Sequence, residues 1–157
     1  MSVPSKARNL ILILTVMFVV LYIAGCSKKE AAKPGADKMP EVPPEYANKH
    51  IPEGWWTDDK IIAEGKELYD GKKNLDVNCA ACHGLDGMPV LSGTRDLRDA
   101  SRVSQWSDSY WFWKVSEGVP DTVMTGWKEK MSDEEIWQVA AYARTFSHGG
   151  KAEEQKH

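Results

Sequence analysis

The 157-residue sequence predicts an all-α domain of three to four helices wrapped around one large flat group. Three observations carry that expectation. Helix-initiating residues stand before amphipathic runs at Thr57-Asp58-Asp59, Ser107-Asp108-Ser109 and Ser132-Asp133-Glu134-Glu135. Breakers close those runs or fill the gaps between them, notably Asp70-Gly71, Gly84 to Pro89 and Gly118-Val119-Pro120. Between the first two runs lies Cys79-Ala80-Ala81-Cys82-His83, the only place where two thiols and an imidazole share a fixed local spacing. Seven tryptophans in so short a chain suit a core that must pack on a flat apolar surface while each indole N–H seeks a polar partner.

The formal charge of −3 is mild, and no basic patch dominates, which argues against a nucleic-acid partner. Lys6 and Arg8 precede Leu10–Ala24, an apolar run broken only by Thr15. A basic flank before a short apolar core is a secretory signal layout, and the run is shorter than the ~20 residues of a spanning helix. It ends in Ile23-Ala24-Gly25-Cys26, which resembles the bacterial lipobox. That resemblance implies cleavage after residue 25 and acyl chains on Cys26. The alternative is an uncleaved signal anchor. Either way the domain is expected on the extracytoplasmic side; on the lipobox reading it is lipid-anchored, on the periplasmic side of an inner or outer membrane. Ser27 after the cysteine permits outer-membrane sorting without deciding it. Loss of residues 1–25 removes two basic residues and no acid, so the charge falls from −3 to −5, and a basic docking partner stays open.

Residues 26–56 read as a tether. Lys28-Lys29-Glu30, Lys33-Pro34-Gly35, Met39-Pro40 and Val42-Pro43-Pro44 alternate charge with proline and glycine, and no period survives. Ile51, Trp55 and Trp56 close it and are expected to pack on the domain, with Pro52 and Gly54 forming the turn.

The domain itself is expected over residues 57–148. Its first helix carries Ile61, Ile62, Gly65, Leu68 and Tyr69 behind an acidic N-terminus. Gly65 inside a helix costs up to about 1 kcal/mol against alanine, so a second helix is expected to cross there. Leu91–Val103 reads as a loop draped over the bound group. In the second helix Trp111, Phe112 and Val115 share a face, and Gly118 with Pro120 ends it. The last helix has a capping box in Ser132 and Glu135 and a hydrophobic staple in Met131 and Ile136. It runs through Trp137 and Tyr142 to about Phe146. Residues 149–157 read as a disordered tail.

C-x-x-C-H reads as a covalent haem c attachment site. Cys79 and Cys82 each add across one porphyrin vinyl group, and His83 is carried under the ring to bind iron. The other readings are a dithiol pair, which does not need the histidine, and half a zinc site, which needs further ligands. A ligating histidine donates its other ring N–H to a carbonyl or carboxylate, and the carbonyl of Pro89 is the expected acceptor. Arg95, Arg98 and Arg102 read either as solvated charges or as contacts to the haem propionates, and Trp127 is a further candidate contact.

A haem with histidine on one side is either open, and then reactive, or closed by a second axial residue, and methionine in that place belongs to cytochromes c. Met1 and Met17 leave with the signal, Met39 lies in the tether, and Met88 is tied to the His83 face. Met131 already has the staple role. Met124 remains, in an irregular loop between two helices. Met131 is the next alternative, with His50 and His148 at the domain edges beyond it.

These residues carry a resemblance: from Asp58 to Ser147 the chain is similar to class I (mitochondrial-like) monohaem cytochromes c of bacterial respiratory systems. Cys79, Cys82 and His83 match the haem motif. Gly65 and Tyr69 match the glycine and aromatic that pack, in that family, on the C-terminal helix, here Trp137 to Tyr142. Gly118-Val119-Pro120 through Met124 to Trp127 resembles the family's ligand loop. Thr125 departs from it, since many relatives have a second proline there, and this puts the loop's stiffness in question. The resemblance implies crossed N- and C-terminal helices around one covalent haem. It further implies a one-electron carrier, not an enzyme and without a small-molecule substrate. Membrane redox complexes would be electron donor and acceptor, and N-terminal acyl chains would hold the lipid bilayer. The chain would act as a free shuttle or as a fixed subunit. The competing class is a haem peroxidase or gas-binding sensor with a labile sixth ligand; a haem-free thiol or metal module is the third.

Overall fold

The structure is a computed structural model that describes residues 39–154. The signal segment, Cys26, the first part of the tether and the last three residues lie outside the described residues. Everything below belongs to the unit Glu41–His157. Among the described residues no helix is long and apolar enough to cross a membrane.

Helix α1 spans Asp59–Tyr69 because Asp58 caps it, its carboxylate accepting from the backbone N–H of Lys60 at 2.8 Å and of Ile61 at 3.0 Å. Two single turns follow, α2 at Ala80–His83 and α3 at Ala100–Val103. The second of these lies inside the stretch expected to be a loop. Helix α4, Asp108–Glu117, starts where the Ser107 hydroxyl accepts from the N–H of Tyr110 at 3.2 Å. Helix α5, Asp133–Thr145, opens on the expected capping box: Ser132 Oγ accepts from Glu135 N at 3.3 Å, and Glu135 Oε2 accepts from Ser132 N at 3.0 Å. Met131 and Ile136, the expected staple, are both buried. A 3₁₀ turn, Phe146–His148, follows α5. The described residues contain no strand, only an isolated bridge between Gly118 and Thr125. The fold is the all-α cytochrome c fold expected from the sequence.

Helices α1 and α5 cross at Gly65, over the backbone of Gln138. Tyr69 continues the contact, its ring 5.3 Å from that of Tyr142 and 5.4 Å from that of Phe146. Trp137 faces the other way and packs on Phe112 of α4, with ring centroids 4.7 Å apart. Leu68, Val77, Val103, Ile136 and Ala140 belong to the core, all essentially inaccessible to water.

Two boundaries differ from the sequence reading. The end of the tether is docked: Tyr46 donates to the Glu117 carboxylate, and Ser109 Oγ lies 3.1 Å from the carbonyls of Ala47 and Lys49. The amide of Ile51 donates to the buried carboxylate of Asp108 at 3.2 Å. Trp56 is 3% exposed and lies under the Arg144 guanidinium, 4.9 Å away. Ile51 and Trp56 are buried as expected, whereas proline and charge made the residues before them read as a free linker, and these polar contacts fix them. The start of the tail is held too. Thr57 Oγ1 donates to Glu154 at 2.7 Å, Arg144 donates to the Glu153 carbonyl, and the His148 ring is 3.2 Å from the Glu153 carboxylate.

Candidate cofactor site

Asn78 starts the turn that carries the motif, its side-chain oxygen accepting from the N–H of Ala81 at 3.0 Å. Cys82 and His83 then donate their amides to the carbonyl of Cys79, at 3.2 and 2.9 Å. This one turn presents Cys79, Cys82 and His83 to the same cavity, of about 470 Å³, within the ~300–1,000 Å³ of cofactor pockets. The two cysteines are not bonded to each other. Burial pushes the Cys79 thiol up to about 12.

The His83 ring is oriented by Nδ1, which lies 3.2 Å from the carbonyl of Arg95. A carbonyl only accepts, so Nδ1 carries the hydrogen and Nε2 keeps its lone pair. Burial holds the imidazole below its usual pKa, with the Arg95 carbonyl working the other way. The ring is therefore in the neutral form that binds metal. Pro89 was the expected acceptor, and the structure replaces it with Arg95. After His83 the chain turns at Gly84 and folds back, so that Val90 N donates to Cys82 O. That path carries Pro89 past the ring and brings Arg95 to it.

Met124 lines the cavity, as no other methionine of the described residues does. Met88 is 47% exposed, and Met131 is buried away from the cavity. His50 and His148 also lie outside the lining. The loop that carries Met124 is braced. Its carbonyl accepts from Val119 N at 3.0 Å, Thr122 Oγ1 accepts from its amide at 3.1 Å, and Trp127 N donates back to the carbonyls at the end of α4. Gly118 permits this with φ +76°, where a Cβ would stand 2.2 Å from the Met124 carbonyl. Backbone hydrogen bonds thus supply stiffness at the point where Thr125 stands in place of a proline.

Arg95 and Trp127 both line the cavity. Arg98 is instead engaged by Asp96, at 2.7 and 2.9 Å, and Arg102 lies 4.0 Å from Asp99. The remaining lining is largely apolar, from Leu97, Trp106, Trp111 and Val115 on one side to Val139 and Ala143 of α5. Lys114 is a lining residue that the sequence did not reveal. Its spacing from Trp111 and Tyr110 on α4 was the one available signal.

The site meets the demands of a haem c. Two thiols, a neutral imidazole with a free Nε2 and a thioether share an apolar cavity, and Trp111 beside them keeps a buried indole N–H without a partner. Among the described residues no group of three or more His, Cys, Asp or Glu is arranged to hold a metal ion, so the zinc reading finds no further ligands. Helices alone, crossed at Gly65 around a C-x-x-C-H turn, define a c-type cytochrome. The chain belongs to the family described as cytochrome c oxidase, cbb3-type, subunit III, whose model matches residues 61–142, just over half of it. No curated protein and no solved structure matches the chain. Electron transfer by a haem c domain follows from that membership.

Proposed function

We propose that the chain is a membrane-tethered one-electron carrier whose haem c is joined to Cys79 and Cys82 and ligated by His83 and Met124. The observation that carries this reading is that Met124 lines the same cavity as the C-x-x-C-H turn. A haem bound there supplies an iron that exchanges one electron without making or breaking a substrate bond. His83, held by the Arg95 carbonyl, presents Nε2 from one side, and the braced loop presents the Met124 sulfur. A thioether ligand raises the reduction potential. The apolar lining excludes water and keeps the environment of the two oxidation states alike. Lipidation of Cys26, with the chain between it and Glu41 as tether, would hold the domain on the outer side of a cytoplasmic membrane or on an outer membrane. The family's description names an oxidase subunit. By that analogy the chain passes electrons between membrane redox complexes, fixed in one or shuttling between them.

The test is a Met124→Ala variant of the haem-loaded protein. Loss of the long-wavelength Met–Fe(III) band, a lower midpoint potential and new carbon monoxide binding by the reduced form are expected. An unchanged spectrum would move the ligand elsewhere. Ready carbon monoxide binding by the unsubstituted protein would favour the sensor or peroxidase class.

A further inference from the structure

Lys114 has no part in the proposed iron ligation, yet it lines the cavity and is only 9% exposed. Among the described residues its ammonium makes no hydrogen bond and no ion pair. Its neighbours are aromatic: Nζ lies 3.3 Å from the centroid of the Trp113 ring and 5.7 Å from that of Tyr110. The charged group acting on it is Arg95, from the loop after α2, and it repels. Tyr110, on the same helix, is itself within the field of Arg95 and Arg102. Burial first, and Arg95 second, hold the Lys114 ammonium below its usual range. No carboxylate acts on Lys114 from any of these elements. A buried cation without a counter-charge is strongly disfavoured, and contacts to ring faces offset only part of that. Lys114 and Arg95 thus both line the cavity, and no acid does.

We infer that Lys114 and Arg95 form a two-cation corner of the cavity that pairs with the carboxylates on the rim of the bound porphyrin. Lys114 is then a positioning residue that also sets the charge around the iron. The inference rests on the proposed haem site. The pairing has two consequences. Lys114 favours the oxidation state that carries the extra electron, because a nearby cation stabilises added negative charge. It also keeps the paired carboxylate ionised to lower pH, which uncouples electron uptake from proton uptake at neutral pH.

The experiment uses the full-length haem-loaded chain and a Lys114→Met variant of similar length. Covalent haem is measured by pyridine haemochrome, and midpoint potential by redox titration across the neutral pH range. The variant is expected to keep its haem, to show a lower potential, and to gain a pH dependence that the unsubstituted protein lacks. Lys114→Arg should restore both properties. Arg95→Gln should shift the potential in the same direction, with the backbone carbonyl that holds His83 retained. It carries the test if Lys114→Met does not accumulate. Potentials equal to those of the unsubstituted protein at every pH, in haem-loaded Lys114→Met or, in its place, Arg95→Gln, would overturn the corner. Absence of covalent haem from the unsubstituted protein would overturn the haem site itself, and the corner with it.

Discussion

Gly65 lies against the backbone of Gln138 so closely that an added Cβ would stand 1.9 Å from the Gln138 carbonyl oxygen and 3.1 Å from the Tyr142 Cβ. The obstacle is helix backbone, which cannot swing aside like a flexible side chain. Gly65→Ala must therefore push α1 off α5. Overpacking of this kind costs about 1–3 kcal/mol, against a helix-propensity gain of roughly 1 kcal/mol for alanine. A net loss of stability is expected, read as a lower denaturant midpoint of the haem-loaded protein. A midpoint at or above that of the unsubstituted chain would mean that the crossing is not tight.

What was legible in the sequence is what acts locally. The capping box at Ser132 and Glu135 and the C-x-x-C-H turn involve residues within one or two turns of each other, so their spacing states their geometry. Gly65 was legible because a mid-helix glycine has a cost that only a close neighbour explains. The carbonyl facing His83 was not legible. Arg95 reaches it only because the chain turns at Gly84 and folds back, a path that no residue type encodes. Lys114 escaped for a different reason. Eight of the ten residues of α4 are buried, so its apolar pattern does not mark one face, and a lysine within it reads as a solvated charge. Of the docked strap, Ile51 and Trp56 were legible as apolar residues that pack on the domain, but the docking of Tyr46, Ala47 and Lys49 before them was hidden by prolines and charges that usually keep a chain in water.

The strap makes the second prediction. If residues 43–56 are part of the folded unit, Trp56→Ala removes a buried indole and the surface under Arg144. Truncating a core tryptophan costs about 3–5 kcal/mol. The indole N–H has no partner, so no acceptor is orphaned and the lower end of that range applies. A fall in the urea midpoint of that size is expected. A midpoint within experimental error of the parent would return residues 43–56 to the tether.

Tyr69 makes the third, and it concerns alkaline pH. Its buried hydroxyl donates to the carbonyl of Gly84 at 2.9 Å, tying α1 to the chain just after His83. Burial first, and then neighbouring acidic groups, push this phenol far above its ordinary value of 10.0. The folded chain therefore keeps the proton at a pH where the unfolded chain gives it up. From about pH 10 upward the unfolded state binds fewer protons, so stability falls as pH rises, by up to about 1.4 kcal/mol per pH unit from this group alone. Below pH 10 both states are protonated, and the full contribution is present. Tyr69→Phe loses the hydrogen bond and leaves the Gly84 carbonyl unpaired, for a cost of about 1–2 kcal/mol at neutral pH. It also lacks the ionisable group. Urea midpoints of the two proteins, measured from neutral pH to about pH 11, are expected to start apart with the parent higher and to converge above pH 10. A gap that stays constant across that range would mean that the Tyr69 phenol ionises in the folded protein as readily as in the unfolded one, and that its hydrogen bond to Gly84 does not hold the proton.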